Sequence, residues 1–133
     1  MSGMILAAAA ESLIGAPFRL HGRDPDFGLD CVGLAAAALE RAGRVAHPPS
    51  GYRLRQGDIT PLISLAAHSG LVPAAGPVEP GDLLLVRPGA AQHHLFVASR
   101  SGGFVHAHAG LRRVVHSPAP LAWPVLRHWR LVG

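Results

Sequence analysis

The spacing of hydrophobic and polar positions changes near Val78. Before it, apolar residues recur at helical spacing in 4–14, 31–42 and 59–69, and a glycine follows each stretch. After it, short apolar runs separated by turn residues are typical of strands. Helices followed by an antiparallel sheet predict an α+β fold.

The second half of the chain predicts the strands of that sheet. The segments with strand character are 83–86, 95–99, 104–108, 114–115 and 123–132. Of these, 95–99 and 104–108 flank a short polar loop and predict a hairpin. Residues 44–57 are rich in proline and glycine and predict a connector. With 133 residues and no internal repeat, we predict one domain over 1–133.

Composition and charge narrow the possible functions. Hydrophobic residues make up 49% and charged residues 15%, which excludes a disordered chain. The net charge of +4 comes from scattered arginines, of which only Arg112 and Arg113 are adjacent, and aromatic residues are 5%. We therefore predict no nucleic-acid partner. No apolar run approaches the roughly 18 residues of a membrane span, and the N-terminal alanine run lacks the positive region of an export signal.

The single cysteine, Cys31, is the first candidate for chemistry. One cysteine cannot form an internal disulfide or a multi-cysteine zinc site. Asp30 precedes it as a predicted N-cap, which places the thiol in the first helical turn, beside unpaired backbone N–H groups. This position is expected to lower the thiol pKa from about 8.5 and to favour a nucleophile. Alternatively, Cys31 is a small buried apolar side chain.

Histidine is the usual base for a nucleophilic thiol, and the predicted hairpin carries His93, His94, His106 and His108. If its loop is centred on residue 100 or 101, paired residue numbers have an even sum. His94 then shares a sheet face with His106 and His108. An odd sum would place them on opposite faces. His93 alternates away from His94 and is predicted to lie at the surface.

The same histidines also permit a metal-site interpretation. His106 and His108, with a third histidine, resemble a three-histidine zinc site. However, the chain has no H-E-x-x-H motif, and no carboxylate within ten positions of the cluster that could orient the ligands. We therefore predict no metal ion and no cofactor.

Taken together, the motifs resemble those of the NlpC-type cell-wall cysteine peptidases. The matching segments are Gly15-Ala16-Pro17-Phe18, Gly28-Leu29-Asp30-Cys31-Val32-Gly33-Leu34, Pro80-Gly81-Asp82-Leu83-Leu84, and His94 followed twelve residues later by His106 in Phe104-Val105-His106-Ala107. They occur in the family's order and span 4 to about 117. The resemblance implies a minimal papain-like fold, in which the cysteine helix packs against a small antiparallel sheet.

The resemblance also implies roles for particular residues. It assigns Cys31 as the nucleophile, His94 as the general base and His106 as the polar residue that orients His94. The implied partner is a peptidoglycan stem peptide, cut between D-glutamate and a diamino acid. The residues expected beside that substrate are Asp30, Val32, Phe18 and His108.

Departures from the family's pattern leave two other functions open. Phe18 replaces a tyrosine, Val32 a serine and Phe96 a glycine, and Phe96 is expected to narrow the cleft. The chain could thus be a weak or inactive papain-like module for assembly or wall binding, or a thiol hydrolase of another amide or ester. The short length and the arginine-rich tail with Trp123 and Trp129 resemble the phage-tail and gene-transfer-agent branch. Its members reach the cell wall with tail-like structural proteins.

Overall fold

The computed structural model describes residues 2–50, 52, 59–90 and 92–133. Within these residues, three helices pack with a six-stranded antiparallel sheet, which confirms the α+β class. The helices are α1 (Ser2–Glu11), α2 (Cys31–Arg41) and α3 (Thr60–His68). A small two-stranded sheet consists of β1 (Arg23–Asp24) and β2 (Gly28–Leu29). The main sheet consists of β3 (Leu71–Pro73), β4 (Leu83–Gly89), β5 (Gln92–Ala98), β6 (Phe104–His108), β7 (Arg113–Ser117) and β8 (Val125–Leu131).

The strand order of the main sheet is β3-β8-β4-β5-β6-β7. The hairpin of β5 and β6 pairs Val97 with Val105 and Ala98 with Phe104, so its loop is centred on Ser101. This register confirms the even-sum pairing. The position of β8 between β3 and β4 was not predicted, because it depends on contacts between residues far apart in the sequence.

The two faces of the sheet carry different apolar clusters. One face packs against the helices and includes Leu95 and Val105 together with Cys31 of α2. The opposite face carries a smaller cluster in which Phe96 and Phe104 are buried. Strand alternation explains the division, since neighbouring residues along β5 and β6 point to opposite faces.

Helix α2 lies at the centre of the helical layer. Every residue from Cys31 to Leu39 is buried, and the run of alanines allows other elements to approach closely. Asp30 is its N-cap and accepts a hydrogen bond from the Gly33 N–H at 2.8 Å, as predicted. At the other end, Gly43 adopts φ +83°, a left-handed conformation that favours glycine.

Other predicted boundaries shift by a few residues, and some elements were missed. Helix α1 starts at Ser2 rather than at residue 4 and ends at Glu11, and the chain then turns towards Gly15. The short strands β1, β2 and β3 carry too few residues to show an alternating pattern. Residues 51 and 53–58 of the predicted connector lie outside the described residues.

Asp82 ties the turn before β4 to strand β8. Its buried carboxylate accepts hydrogen bonds from the Glu79 backbone N–H at 2.9 Å and from the Arg130 guanidinium at 2.8 and 2.9 Å, and it lies 2.6 Å from His128 Nε2. Burial by itself would raise the pKa of Asp82. The hydrogen bonds, led by that from Arg130, outweigh burial and hold the pKa below its usual value of 3.8.

We expect Asp82→Asn to lower the free energy of unfolding by about 2 kcal/mol at neutral pH, because charge-assisted hydrogen bonds are lost. The carboxylate contributes fully above its unfolded-state pKa, and the contribution is lost as pH falls through the lower folded-state pKa. The difference between the two proteins should therefore shrink below about pH 4. Urea denaturation at neutral and acidic pH measures it, and a difference independent of pH would contradict the assignment.

Candidate active site

The only thiol of the chain lies where α2 begins. Cys31 is the first residue of the helix, and its side chain is 0% exposed. The backbone N–H of Leu95 on β5 is close enough to act on the sulfur as a hydrogen-bond donor, as are those of Val32 and of Cys31 itself. Since Leu95 follows His94 directly, the thiol lies beside the start of the strand that carries the predicted base.

Burial controls the protonation of this thiol. Burial, with a smaller contribution from the negative charge of Asp30, raises the pKa of Cys31 to about 12, while the surrounding N–H groups act in the opposite direction. The predicted lowering of the pKa is therefore wrong for this conformation, because desolvation outweighs the helix N-terminus. Cys31 is a neutral thiol here, as well as part of the core.

His94 and His106 form a pair on the same face of the sheet, as the even-sum pairing predicted. His94 Nε2 and His106 Nδ1 lie 3.4 Å apart, at hydrogen-bond distance. Within the part of the chain that the structure describes, neither histidine ring is hydrogen-bonded to Cys31. The other nitrogen of His106, Nε2, lies 2.7 Å from Ser117 Oγ.

Both imidazoles of the pair are neutral at neutral pH. Burial, with a smaller contribution from the nearby His108, lowers the pKa of His94 to about 4, while the backbone of Ala107 and the negative charge of Asp30 act in the opposite direction. Burial likewise lowers the pKa of His106 to about 4. A neutral imidazole can accept a proton, so the pair is in the form that a general base requires.

Phe96 packs against the histidine pair. Its ring stacks on that of His106 with a centroid distance of 4.1 Å and an interplanar angle of 13°, and it meets the ring of His94 edge-on at 5.4 Å. Phe96 is buried within the smaller apolar cluster. It therefore covers the two histidines on that face. This packing gives Phe96 a role other than the narrowing of a cleft that the sequence predicted.

A network of hydrogen bonds surrounds Asp30, next to the thiol. Besides capping Gly33, the carboxylate accepts from the backbone N–H of His21 at 2.8 Å and from the hydroxyl of Tyr52. Arg23 lies 3.5 Å from the carboxylate and donates to the Tyr52 hydroxyl at 3.1 Å. Burial and the hydrogen bond to Asp30 raise the pKa of Tyr52. The network anchors the loop before α2 and Tyr52 to the helix N-terminus.

Comparisons with known proteins identify the architecture that holds this site. No protein-family model and no curated protein sequence matches the chain. NlpC2 from Trichomonas vaginalis has a TM-score of 0.68 at 20% identity, covering 97% of this chain and 48% of that one. NlpC1 from the same organism has a TM-score of 0.69 at 23% identity, covering 96% and 44%. The NlpC/p60 domain of the peptidoglycan hydrolase SagA has a TM-score of 0.59 at 25% identity, covering 87% and 88%.

The chain has the NlpC/p60 fold. This confirms the predicted papain-like architecture, with the cysteine helix packed against an antiparallel sheet. The chain spans about half the length of the two Trichomonas proteins. The predicted likeness to the phage-tail branch stays a prediction.

Within this NlpC/p60 fold, the residues expected beside substrate fall into two groups. Asp30 and Val32 are completely buried beside the thiol, as Cys31 is, and their contact with substrate stays a prediction. Phe18 is half-buried and packs against the core cluster that contains Cys31. His108 is half-exposed, and its ring centroid lies 5.6 Å from that of His106. Contact of Phe18 and His108 with substrate stays a prediction.

The predicted surface position of His93 is wrong. This side chain is 7% exposed, because odd-numbered residues of β5 point to the helical layer, as Leu95 does. His94 alternates to the opposite face and is half-buried. The alternation itself was predicted, but the sequence did not show which face the helices cover.

An open cavity of about 160 Å³ adjoins His106 on the face away from the helices. Its polar lining comes from His106, His108 and Ser117, and the apolar lining includes Phe96 and Trp123. Among the described residues, no three histidine, cysteine, aspartate or glutamate side chains are arranged to hold a metal ion. Each described helix also falls short of the length and apolar character that a membrane span requires.

Ser117 was not identified from the sequence. It reaches His106 because β7 pairs with β6 in a register that places Phe104 opposite Ser117 and His106 opposite Val115. Ser117 is thus a diagonal neighbour of His106 on one sheet face. Only knowledge of that register could have singled out this serine.

Proposed function

We propose that the chain is a cysteine peptidase that hydrolyses amide bonds in peptidoglycan stem peptides. The observation that carries the proposal is the arrangement of Cys31 at the start of α2 beside the strand of His94, which is paired with His106. The NlpC/p60 fold supports it, since the similar SagA domain belongs to a peptidoglycan hydrolase.

The first half of the reaction forms a thioester. Because His94 Nε2 faces His106, the other nitrogen, Nδ1, is the one available to accept the proton of the Cys31 thiol. The sulfur attacks the carbonyl carbon of the scissile amide, and the electron pair of the C=O bond moves to oxygen. The backbone N–H of Cys31 is the proposed donor to this oxyanion.

The second half releases both products. As the tetrahedral intermediate collapses, the C–N bond breaks and His94 gives its proton to the leaving amine. A water molecule then attacks the thioester with His94 as base. The C–S bond breaks, the acid is released, and the proton returns to the Cys31 sulfur.

Access to the thiol is a necessary step of this proposal. Cys31 has no exposed surface, and its pKa of about 12 belongs to a closed site from which water is excluded. Substrate binding must therefore open the contact between the N-terminus of α2 and β5, and it must also bring the thiol to the ring of His94, which β5 carries on its other face. Opening removes the desolvation that raises the pKa and lets the helix N-terminus favour the thiolate.

We extend the proposal to the bond between D-glutamate and a diamino acid, which the resemblance to NlpC-type peptidases implies. Delivery to the wall by a tail-like particle is the corresponding proposal for localisation and for structural partners. Neither is needed for the chemistry at Cys31, so each is tested separately.

A second candidate function is wall binding without hydrolysis. The specific observation that favours it is the complete burial of Cys31, together with the raised pKa that keeps the thiol neutral. A module of this kind would keep the NlpC/p60 fold and hold a wall peptide, but its thiol would never reach a carbonyl carbon.

Incubation of the purified chain with peptidoglycan sacculi tests the two candidates. We expect released peptides that begin with the diamino acid and carry a new free amine, and new D-glutamate carboxyl ends on the stubs that stay attached to the glycan, both identified by mass spectrometry against a digest without protein. Generic acyl amides and esters, assayed in parallel, should react at least about 10-fold more slowly.

Other outcomes would contradict the proposal in distinct ways. Hydrolysis of the generic substrates alone would indicate a thiol hydrolase of another substrate class. Sedimentation of the chain with sacculi and no released peptide would favour the wall-binding module.

A further inference from the structure

The contact between Ser117 and His106 adds a serine hydroxyl to the histidine pair. The hydroxyl oxygen of Ser117 lies 2.7 Å from His106 Nε2, and His106 Nδ1 lies 3.4 Å from His94 Nε2. The three side chains therefore form a chain of hydrogen bonds that runs across strands β7, β6 and β5.

The direction of these hydrogen bonds decides which nitrogen of His94 can act as a base. A neutral imidazole carries one N–H and one unprotonated nitrogen. If His106 Nε2 donates to Ser117 Oγ, then His106 Nδ1 accepts from His94 Nε2, and Nδ1 of His94 is unprotonated. If the direction is reversed, Nδ1 of His94 carries the proton and cannot accept another from the thiol.

The surroundings of Ser117 favour the first direction. Ser117 and His106 both line the open cavity of about 160 Å³. The hydroxyl hydrogen of Ser117 can point into this cavity towards solvent, which leaves its oxygen lone pairs for the His106 N–H. His106 itself is 3% exposed and is stacked against Phe96, so its ring cannot obtain a different partner by turning outwards.

We propose that Ser117 is a positioning residue that holds His106 in one tautomer, and thereby keeps the proton of His94 on Nε2. This role rests on the proposed function, since the base it prepares is the one that activates Cys31. Ser117 acts through the two rings and does not contact the reacting atoms.

The test compares three replacements of Ser117 in the full chain. Ser117→Ala and Ser117→Val remove the hydroxyl, and we expect each to lower kcat for peptidoglycan hydrolysis about five-fold while KM changes little. Ser117→Thr keeps the hydroxyl and should retain most of the wild-type rate. Valine has nearly the shape of threonine, so this pair separates loss of the hydroxyl from a change in packing.

A control variant tests whether the loss of any serine–histidine contact lowers kcat, and a second measurement follows the tautomers without an activity assay. Ser64 lies 3.2 Å from His68 Nδ1 on the exposed face of α3, so Ser64→Ala removes a serine–histidine contact away from the site and should leave kcat unchanged. Ring ¹⁵N shifts report the tautomers directly. In the wild type we expect Nε2 of both His94 and His106 to carry the proton. In Ser117→Ala we expect both histidines to be mixtures of the two tautomers.

The outcomes distinguish this inference from the proposed function. The role of Ser117 is supported if the wild type shows the expected tautomers and Ser117→Ala shows mixed ones. This holds even if the chain hydrolyses no peptidoglycan. A wild-type proton on His106 Nδ1, tautomers unchanged in Ser117→Ala, or a threonine variant as slow as the valine variant would overturn it.

Discussion

Replacing Cys31 with alanine should lower the rate of peptidoglycan hydrolysis by at least about 10⁴-fold, to the background of the assay. Cys31 is the only cysteine of the chain, so no second thiol can substitute as the nucleophile. The partner histidines keep their contacts in this variant, because neither the 3.4 Å contact between His94 and His106 nor the 2.7 Å contact with Ser117 involves the sulfur. The loss therefore reports the nucleophile itself.

The fold of Cys31→Ala should remain intact. The side chain is buried in the main core, and removal of one sulfur atom leaves a small cavity that costs about 1 kcal/mol. Cys31→Ser is the matched variant, since it keeps the size of the side chain but places a weak nucleophile at the helix start. Release of peptides from sacculi measures the rates, and thermal unfolding checks the fold. Hydrolysis by Cys31→Ala at the wild-type rate would exclude the proposed mechanism.

Local signals in the sequence predicted the position of the thiol within its helix. Asp30 has a short acceptor side chain and precedes an apolar helical stretch, and the structure confirms it as the N-cap of α2. Such a cap depends on residues within one turn of each other, so it can be deduced without knowledge of the rest of the fold. The same is true of Gly43 at the other end of the helix.

Alternation along the hairpin predicted the histidine pair for a similar reason. For a loop centred on residue 100 or 101, the period of two predicts His94 and His106 on one face, and the observed centre at Ser101 confirms it. Which face the helices would cover depends on the whole sheet. The sequence therefore predicted that His94 lies beside His106, but it did not predict that His93 is buried.

The reactivity of Cys31 depended on contacts that no local pattern shows. A helix N-terminus lowers the pKa of a thiol only when the charged form is solvated or hydrogen-bonded well enough to offset burial. Here β5 covers the start of α2 and excludes water from the sulfur. Ser117 is a second case, because its approach to His106 follows from the register of β7 on β6.

Gly33 joins the sequence motif around Cys31 to the packing that encloses the thiol. It is the third residue of α2, where its N–H donates to Asp30, and the carbonyl of Gly22 approaches its Cα closely. A Cβ at this position would collide with the carbonyl oxygen of Gly22 and would lie 3.3 Å from Asp30 Oδ1. The loop before α2 can therefore rest on the helix only if residue 33 has no side chain.

Gly33→Ala should accordingly destabilise the protein by about 3 kcal/mol, since backbone must move and the cap at Asp30 is weakened. Helix propensity alone predicts the opposite sign, a gain of about 1 kcal/mol for alanine over glycine. Gly43→Ala, two residues beyond the C-terminal end of the same helix, is the matched control: nothing lies within 4 Å of its Cβ position, so only the positive φ contributes, about 1 kcal/mol. Urea denaturation measures all three proteins. If Gly33→Ala is as stable as the wild type or more so, the loop does not hold the start of α2 in place. If stability falls as expected and Cys31 is alkylated faster, the loop keeps the site closed.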